Sequence, residues 1–297
     1  KEDILKDLIF YHQNKNIQFD DKLEILKYFH SLKIIDPAVG SGAFPMGILN
    51  KIVEILNLID IDGDEWLKLQ SREFQDKNKN KDPNYIRKLS IIQNSIFGVD
   101  IQSMAIEIAK LRFFLSLLVD EDKNHIEPLP NMEFKFVCAN TLLPLEKINY
   151  HNNLFDNTIS QYNQKIENLK NLKEQYFYAN GINKEKIKKD FNKTQQDIIT
   201  IIENNIDVKE VLHNKIISYK PFDSSSSAEF FDTPYMFSLE NERFNIVIGN
   251  PPYIRQEKIK ELKKEIEQIH KNKTISIYQN DKLYLSYNGT ADIYVYF

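Results

Sequence analysis

Cys138 is the only cysteine in this chain of 297 residues, which excludes a disulfide framework and fits a reducing cytoplasm. Set in an apolar run, it reads as a buried, inert thiol. Long hydrophobic stretches are also missing: no run of about 18 apolar residues occurs and the N-terminus is not signal-like. A soluble, cytoplasmic protein with no membrane partner is expected. The six histidines are scattered without ligand spacing, so no metal site is expected. Positive charge is short as well. Lys and Arg number 39 against 43 Asp and Glu, a net charge of −4. That balance disfavours a self-sufficient binder of polyanions, because neutralising phosphates needs clustered Lys and Arg. No glycine loop ends in Lys-Ser or Lys-Thr, so a triphosphate cradle is absent. At 42% hydrophobic residues the chain can still bury one large core or two small ones.

What the sequence does contain is concentrated in Ile246-Val247-Ile248-Gly249-Asn250-Pro251-Pro252-Tyr253-Ile254. Phe244 to Gly249 is short, β-branched and bounded by Gly and Pro, and reads as a buried strand. Two prolines end it, since each lacks an N–H and holds φ near about −65°. Asn250, placed before a proline, is pushed toward extended geometry. Its side-chain carbonyl and the Pro251 carbonyl are both acceptors, and Tyr253 adds a ring for a planar group to stack on. An aromatic amine is a poor nucleophile because its lone pair is delocalised. Two acceptors on its N–H groups favour a pyramidal nitrogen and stabilise the positive charge that grows there.

A second apolar run, Leu32 to Asp36, leads into Pro37-Ala38-Val39-Gly40-Ser41-Gly42-Ala43-Phe44. A helical pattern through Ile48, Leu49, Ile52, Val53 and Leu56 follows. Strand, glycine turn and helix open a nucleotide-binding α/β unit. Ile96 to Ile101 and Phe134 to Leu142 are further apolar strands, the first ending in the carboxylate of Asp100.

Asp36–Phe44 and Asn250–Tyr253 together resemble motifs I and IV of S-adenosylmethionine-dependent DNA adenine-N6 methyltransferases. Their order is similar to the class in which a target-recognition domain follows at the C-terminus. Phrases such as Ala109-Lys110-Leu111-Arg112, Pro128 to Asn131, Phe230-Phe231-Asp232, Asn250 to Glu257 and Gly289 to Tyr294 resemble a narrower branch. This is the branch of large restriction-modification and phage-defence enzymes, in which one polypeptide carries nuclease, methyltransferase and recognition domains. The resemblance implies a Rossmann-like methyltransferase fold, α/β with a mostly parallel sheet and helices on both faces. It implies S-adenosyl-L-methionine as cofactor and double-stranded DNA as partner. By the same resemblance Asp36, Ala38, Gly40 and Gly42 receive the cofactor's methionine end, and Asp100 takes the ribose. Ile101 and Asn140 take its adenine, Asn140 standing where the family more often has Asp. Asn250 and Pro251 would accept from the target amine, Pro252 would stiffen the loop and Tyr253 would stack on a flipped adenine.

Asn-Pro-Pro-Tyr also occurs in methyltransferases acting on a protein glutamine amide or a guanine amine in RNA. Asp36-Pro37-Ala38 and Ile254-Arg255-Gln256-Glu257 look more like the DNA branch. A non-catalytic module of the same fold is the remaining alternative, against which the intact Asp100, Asn250 and Tyr253 argue. The acidic balance points to a basic recognition domain or subunit outside the chain. No nuclease carboxylate cluster is found; Asp64 and Glu65 with Lys68 read as surface charge. The family's aromatic-Thr-Pro motif is absent from residues 1–31, so the chain reads as an excised piece, expected to methylate poorly alone.

Three segments are expected. Residues 1–150 hold N-terminal helices and the cofactor half, with 62–88 polar and 77–83 a loop. Ser103 is expected to cap an apolar, buried crossover helix over Met104–Val119. Residues 151–220 read as a helical hairpin inserted around Ala179-Asn180-Gly181. Residues 221–297 hold the catalytic half. Within 161–215 ten Lys face eight Asp and Glu, a balance of +2 that favours a solvated hairpin over a DNA clamp despite a basic tip at Lys184, Lys186, Lys188 and Lys189.

Overall fold

The structure, a computed structural model, describes residues 2–11, 17–121, 128, 130–145, 156–205, 210–239, 243–255 and 260–271. Leu129, Gln256, Glu257 and Gly289 to Tyr294 of the phrases above lie outside them. The sheet has four strands, β1 (Ile34–Asp36), β2 (Ile96–Asp100), β3 (Phe136–Cys138) and β4 (Ile246–Val247), in the order β3-β2-β1-β4. β1 pairs in parallel with β2, Ile34 facing Ile96, and with β4, Ile34 facing Ile246. Non-consecutive parallel neighbours require crossover helices, so the chain is α/β. All three β1 side chains are buried, as are Ile96 to Val99 of β2, the run expected of strands covered on both faces. β4 departs from the expected buried strand. It spans only two residues, with Ile246 38% and Val247 64% exposed. Paired on one side to β1, it is the outer strand among the described residues. Its apolar anchor is Phe244 instead, whose ring meets Phe97 edge-on at 5.6 Å.

The chain divides into two compact units, the first within Lys1–Gly98, Ala105–Phe136 and Arg243–Gly249. Helices α1 (Glu2–Tyr11), α2 (Phe19–Ser31) and α3 (Ala43–Ile59) match the expected helical stretches. The segment 62–88, expected to be polar with a loop at 77–83, is mostly helical: α4 (Asp64–Lys68), α5 (Arg72–Asn78) and the start of α6 (Pro83–Asn94) occupy it, and the loop is confined to residues 79–82. Sparse apolar residues suffice because they fall on inward faces, with Trp66, Phe74, Tyr85, Ile86 and Leu89 buried. Caps set the boundaries. Ser71 Oγ accepts from Phe74 N at 3.3 Å, and Asp82 Oδ1 accepts from Asn84 N at 2.7 Å ahead of Pro83, caps of a kind worth about 0.5–2 kcal/mol each. The buried Arg87 then ties α6 to the end of α3, donating to Asn57 Oδ1, Asp60 O and Ile61 O.

Helix α7 (Ser103–Leu118) buries Ile106, Ala109, Phe113 and Leu117 only. The expected fully buried crossover helix is therefore buried on one face. Met104, Ile108, Leu111, Leu115 and Val119 are exposed, so overall apolarity did not report which way each residue points. No helix among the described residues is long and apolar enough to cross a membrane.

The second unit lies within Val99–Met104, Val137–Glu242 and Asn250–Phe297. It contains α8 (Asp156–Tyr176), α9 (Gly181–Asn205), α10 (Glu210–Ser218), α11 (Thr233–Phe237) and α12 (Lys260–Lys271). Lys165 of α8 pairs with Asp197 of α9 at 2.6 Å. Leu169, Ile198 and Ile202 are buried. Beside them Phe191, Tyr219, Phe230 and Tyr235 form a chain of rings at 5.8–6.4 Å, mostly the edge-to-face geometry that aromatic quadrupoles favour.

Lys173 of α8 is buried against this cluster, with Nζ donating to the Tyr235 carbonyl and, at 3.3 Å, to Ser238 Oγ. Burial pushes its pKa down to about 7, outweighing the attraction of Asp232. An unfolded lysine titrates near about 10.4, so between those values the unfolded chain binds the extra proton. Folding is thus penalised below about pH 7 and gains stability as pH rises toward about 10. From pH 7 to 9 the melting temperature is expected to rise more steeply in the parent than in Lys173→Met. Equal slopes in the two proteins would refute this linkage.

Candidate active site

Every motif segment leaves the carboxyl end of its own strand: Asp36 ends β1, Asp100 ends β2, Asn140 follows β3 and Asn250 follows β4. Ligands of open α/β sheets bind outside that edge. In the first unit, β1 passes into a tight loop held by Gly42 N donating to Val39 O at 2.8 Å. Gly40 and Gly42 have φ of 51° and 80°, left-handed values that a residue with a Cβ adopts at a cost. Their surroundings differ. A Cβ on Gly42 would lie 3.2 Å from Ala109 Cβ, whereas one on Gly40 would meet nothing within 4 Å. Gly42 is therefore a packing glycine at the start of α3, and Gly40 has open space where a side chain would stand.

Asp36 is 1% exposed. Its Oδ1 accepts from Ala38 N at 3.0 Å, so the carboxylate shapes the turn in which Ala38 sits. The same oxygen lies 2.6 Å from where a Cβ on Gly249 would be. The last residue before Asn250 is thus glycine for a steric reason: the loop after β1 and the strand before Asn250 touch through Asp36. Gly98 of β2 is likewise obligatory, since its Cβ would meet Val39 Cγ2 and Phe136 Cδ1 at 2.8 Å each. Neither constraint was legible in the sequence, where both glycines look like ordinary members of apolar runs. The Cβ-free approach needs a partner distant in sequence to be seen.

In the second unit Asp100 is half-buried, and its Oδ1 accepts from Gln102 N at 2.9 Å, an Asx-type turn that aims the strand end. Ile101 beside it is 59% exposed. Its carbonyl accepts from Cys138 Sγ at 3.5 Å, and Ala139 N donates to Asp100 O at 2.9 Å. These contacts bring the ends of β2 and β3 together. Cys138 is half-buried where a fully buried thiol was expected. Asn140 Oδ1 accepts from Leu142 N at 3.1 Å, so one of its lone pairs is engaged and its amide hydrogens are the complementary offering.

Past β4 the chain leaves the ladder at Ile248, whose N–H donates to Ile35 O at 2.9 Å. Tyr253 is 77% exposed, with its hydroxyl 3.5 Å from Asn250 Oδ1. Ile254 N donates to Pro252 O at 3.2 Å, closing a three-residue turn. No hydrogen bond reaches Pro251 O among the described residues. The turn therefore consumes one proline carbonyl and leaves the other.

Residues 94–297 match the Eco57I restriction-modification methylase family. The chain belongs to that family. The match takes in Asp100, Asn140 and the Asn250–Tyr253 turn and starts beyond the glycine loop of β1. A protein of Methanocaldococcus jannaschii, named as a candidate type II restriction enzyme and methyltransferase, is 32% identical over 138 residues. Those residues are 44% of this chain and 10% of that protein, so the chain spans about a tenth of the relative's length. No solved structure matches the chain.

Proposed function

We propose that the chain is the methyltransferase part of a restriction-modification enzyme and transfers a methyl group to adenine N6 in double-stranded DNA, with S-adenosyl-L-methionine as donor. The observation that carries this reading is the Asn250–Tyr253 turn, with an unengaged Pro251 carbonyl and an exposed ring, on a chain of this family. The bound cofactor would supply an electrophilic methyl group. The residues present fit it. Gly40 leaves room for a ligand against its backbone, and the first turn of α3 carries no acidic side chain. A carboxylate such as that of a methionine moiety is favoured at such a helix start. Asp36 would act on that end through the turn it caps. Asp100 would accept from ribose hydroxyls, Ile101 would give an apolar seat to a purine, and Asn140 would bond its edge.

At the target, Asn250 Oδ1 and Pro251 O would accept the two N–H groups of the amine, and Tyr253 would stack on the base. A duplex hides this amine, so the base must be flipped out at a cost of a few kcal/mol. Stacking returns about 1–3 kcal/mol of that. The neutral amine becomes a cation as the methyl arrives and then releases a proton; acceptors preset at the nitrogen stabilise that charge. A recognition domain or subunit would supply base readout and further basic surface to a chain of net charge −4, and the parent protein would carry a nuclease function as well.

Calorimetric titration with S-adenosylmethionine tests the cofactor assignment. Binding to the parent and its loss in Asp100→Ala, with an unchanged melting profile, are expected. Equal affinity in both would remove Asp100 from the site.

A further inference from the structure

Resting on the reading of duplex DNA as substrate, we propose that the face of α9 bearing Lys186, Lys189 and Lys193 is a contact surface for the DNA phosphate backbone. By net charge alone this region looks like a solvated hairpin. The structure divides its lysines into two sets. Lys184 and Lys188 are half-buried, their ammonium groups 5.4 Å from the Tyr176 ring and 5.9 Å from the Phe222 ring. Lys188 also pairs with Glu185 at 2.9 Å. These two hold α9 against its own unit. Lys186, Lys189 and Lys193 are exposed and make no hydrogen bond or ion pair among the described residues. Lys189 feels Glu185 at longer range only.

Their spacing of three and four residues places them within roughly 60° of arc and about 10 Å of helix length. Two of the nearby carboxylates are already committed. Glu185 is taken by Lys188, Asp197 is taken by Lys165 at 2.6 Å, and Asp190 is half-buried at the margin. Three ammonium groups on one helix face, none in an ion pair among the described residues, repel one another. They are complementary to a duplex, which presents one phosphate charge per roughly 1.7 Å of axis. A solvated face would show the same exposure but no linkage to counterion release, so salt dependence separates the two.

The test titrates a labelled duplex of mixed sequence with the chain over a range of NaCl concentrations. In Lys186→Gln/Lys189→Gln/Lys193→Gln the slope of log affinity against log salt is expected to flatten by about 2 to 3 relative to the parent, near 0.9 for each phosphate that is no longer neutralised. The weakening should be equal for unrelated sequences, at an unchanged melting temperature. Lys51→Gln/Lys68→Gln, a half-buried and an exposed lysine with partners in the first unit, should keep the parental slope. A parental slope in the triple variant overturns the proposal while leaving the DNA reading intact. Binding by the parent to an acidic protein but to no duplex at any salt would overturn both.

Discussion

Replacing Asn250 with alanine is expected to slow methyl transfer by about 10²–10³-fold, the usual loss when a preset transition-state hydrogen bond is removed. Binding of S-adenosylmethionine should be unaffected, because Asn250 lies past β4 and its side chain faces Tyr253, with the hydroxyl 3.5 Å away. Tyr253→Ala should act at a different step. The ring is 77% exposed, so its loss removes the platform for a flipped base and weakens productive DNA binding by about 1–3 kcal/mol. Single-turnover kinetics separates the two variants: the first lowers the limiting rate, and the second raises the DNA concentration at which that rate is reached. Equal limiting rates in the parent and Asn250→Ala would remove the acceptor from the chemistry.

Gly249→Ala is expected to be nearly as damaging, although the residue offers no functional group. The added Cβ would sit 2.6 Å from Asp36 Oδ1 and 3.4 Å from Pro37 Cδ. Either the carboxylate leaves the Ala38 amide or the strand before Asn250 moves outward. A displacement near 1 Å at reacting groups costs on the order of 10²-fold in rate. Removing the obstructing carboxylate should relieve the clash, so Asp36→Gly/Gly249→Ala is expected to lose less than the sum of its single variants. Contacting residues couple in this way; independent ones add. Additive losses would mean that Asp36 and Gly249 do not communicate.

How far the sequence could be read depended on whether neighbours in the chain or neighbours in space decide a residue's role. β1 and β2 were legible because strands covered on both faces are short β-branched runs, and Asp36 and Asp100 mark their ends. The Asn250–Tyr253 turn was legible because two prolines stop a ladder whatever surrounds it. β4 misleads for the same local reason: an apolar run says nothing about standing at the outer edge of the sheet, where Ile246 and Val247 are exposed. The helices between Asp64 and Asn94 were hidden by Lys and Asn on their outer faces, with Trp66, Phe74 and Tyr85 too widely spaced to announce them. The lysines of α9 could be counted but not sorted, since which of them lie over Tyr176 and Phe222 is decided by tertiary packing. The steric demand at Gly249 needs Asp36 beside it, more than 200 residues away along the chain.

Placement of a methyl group on adenine N6 can be read directly in one measurement. The natural protein carrying this chain would be incubated in excess over duplex DNA with S-adenosylmethionine labelled in its methyl group, the DNA digested to nucleosides, and the label located. Label is expected in the N6-methylated deoxyadenosine of the DNA, and is expected to be absent with Asn250→Ala on the same timescale. Label in a cytosine of the DNA, or no label in the DNA, would contradict this assignment.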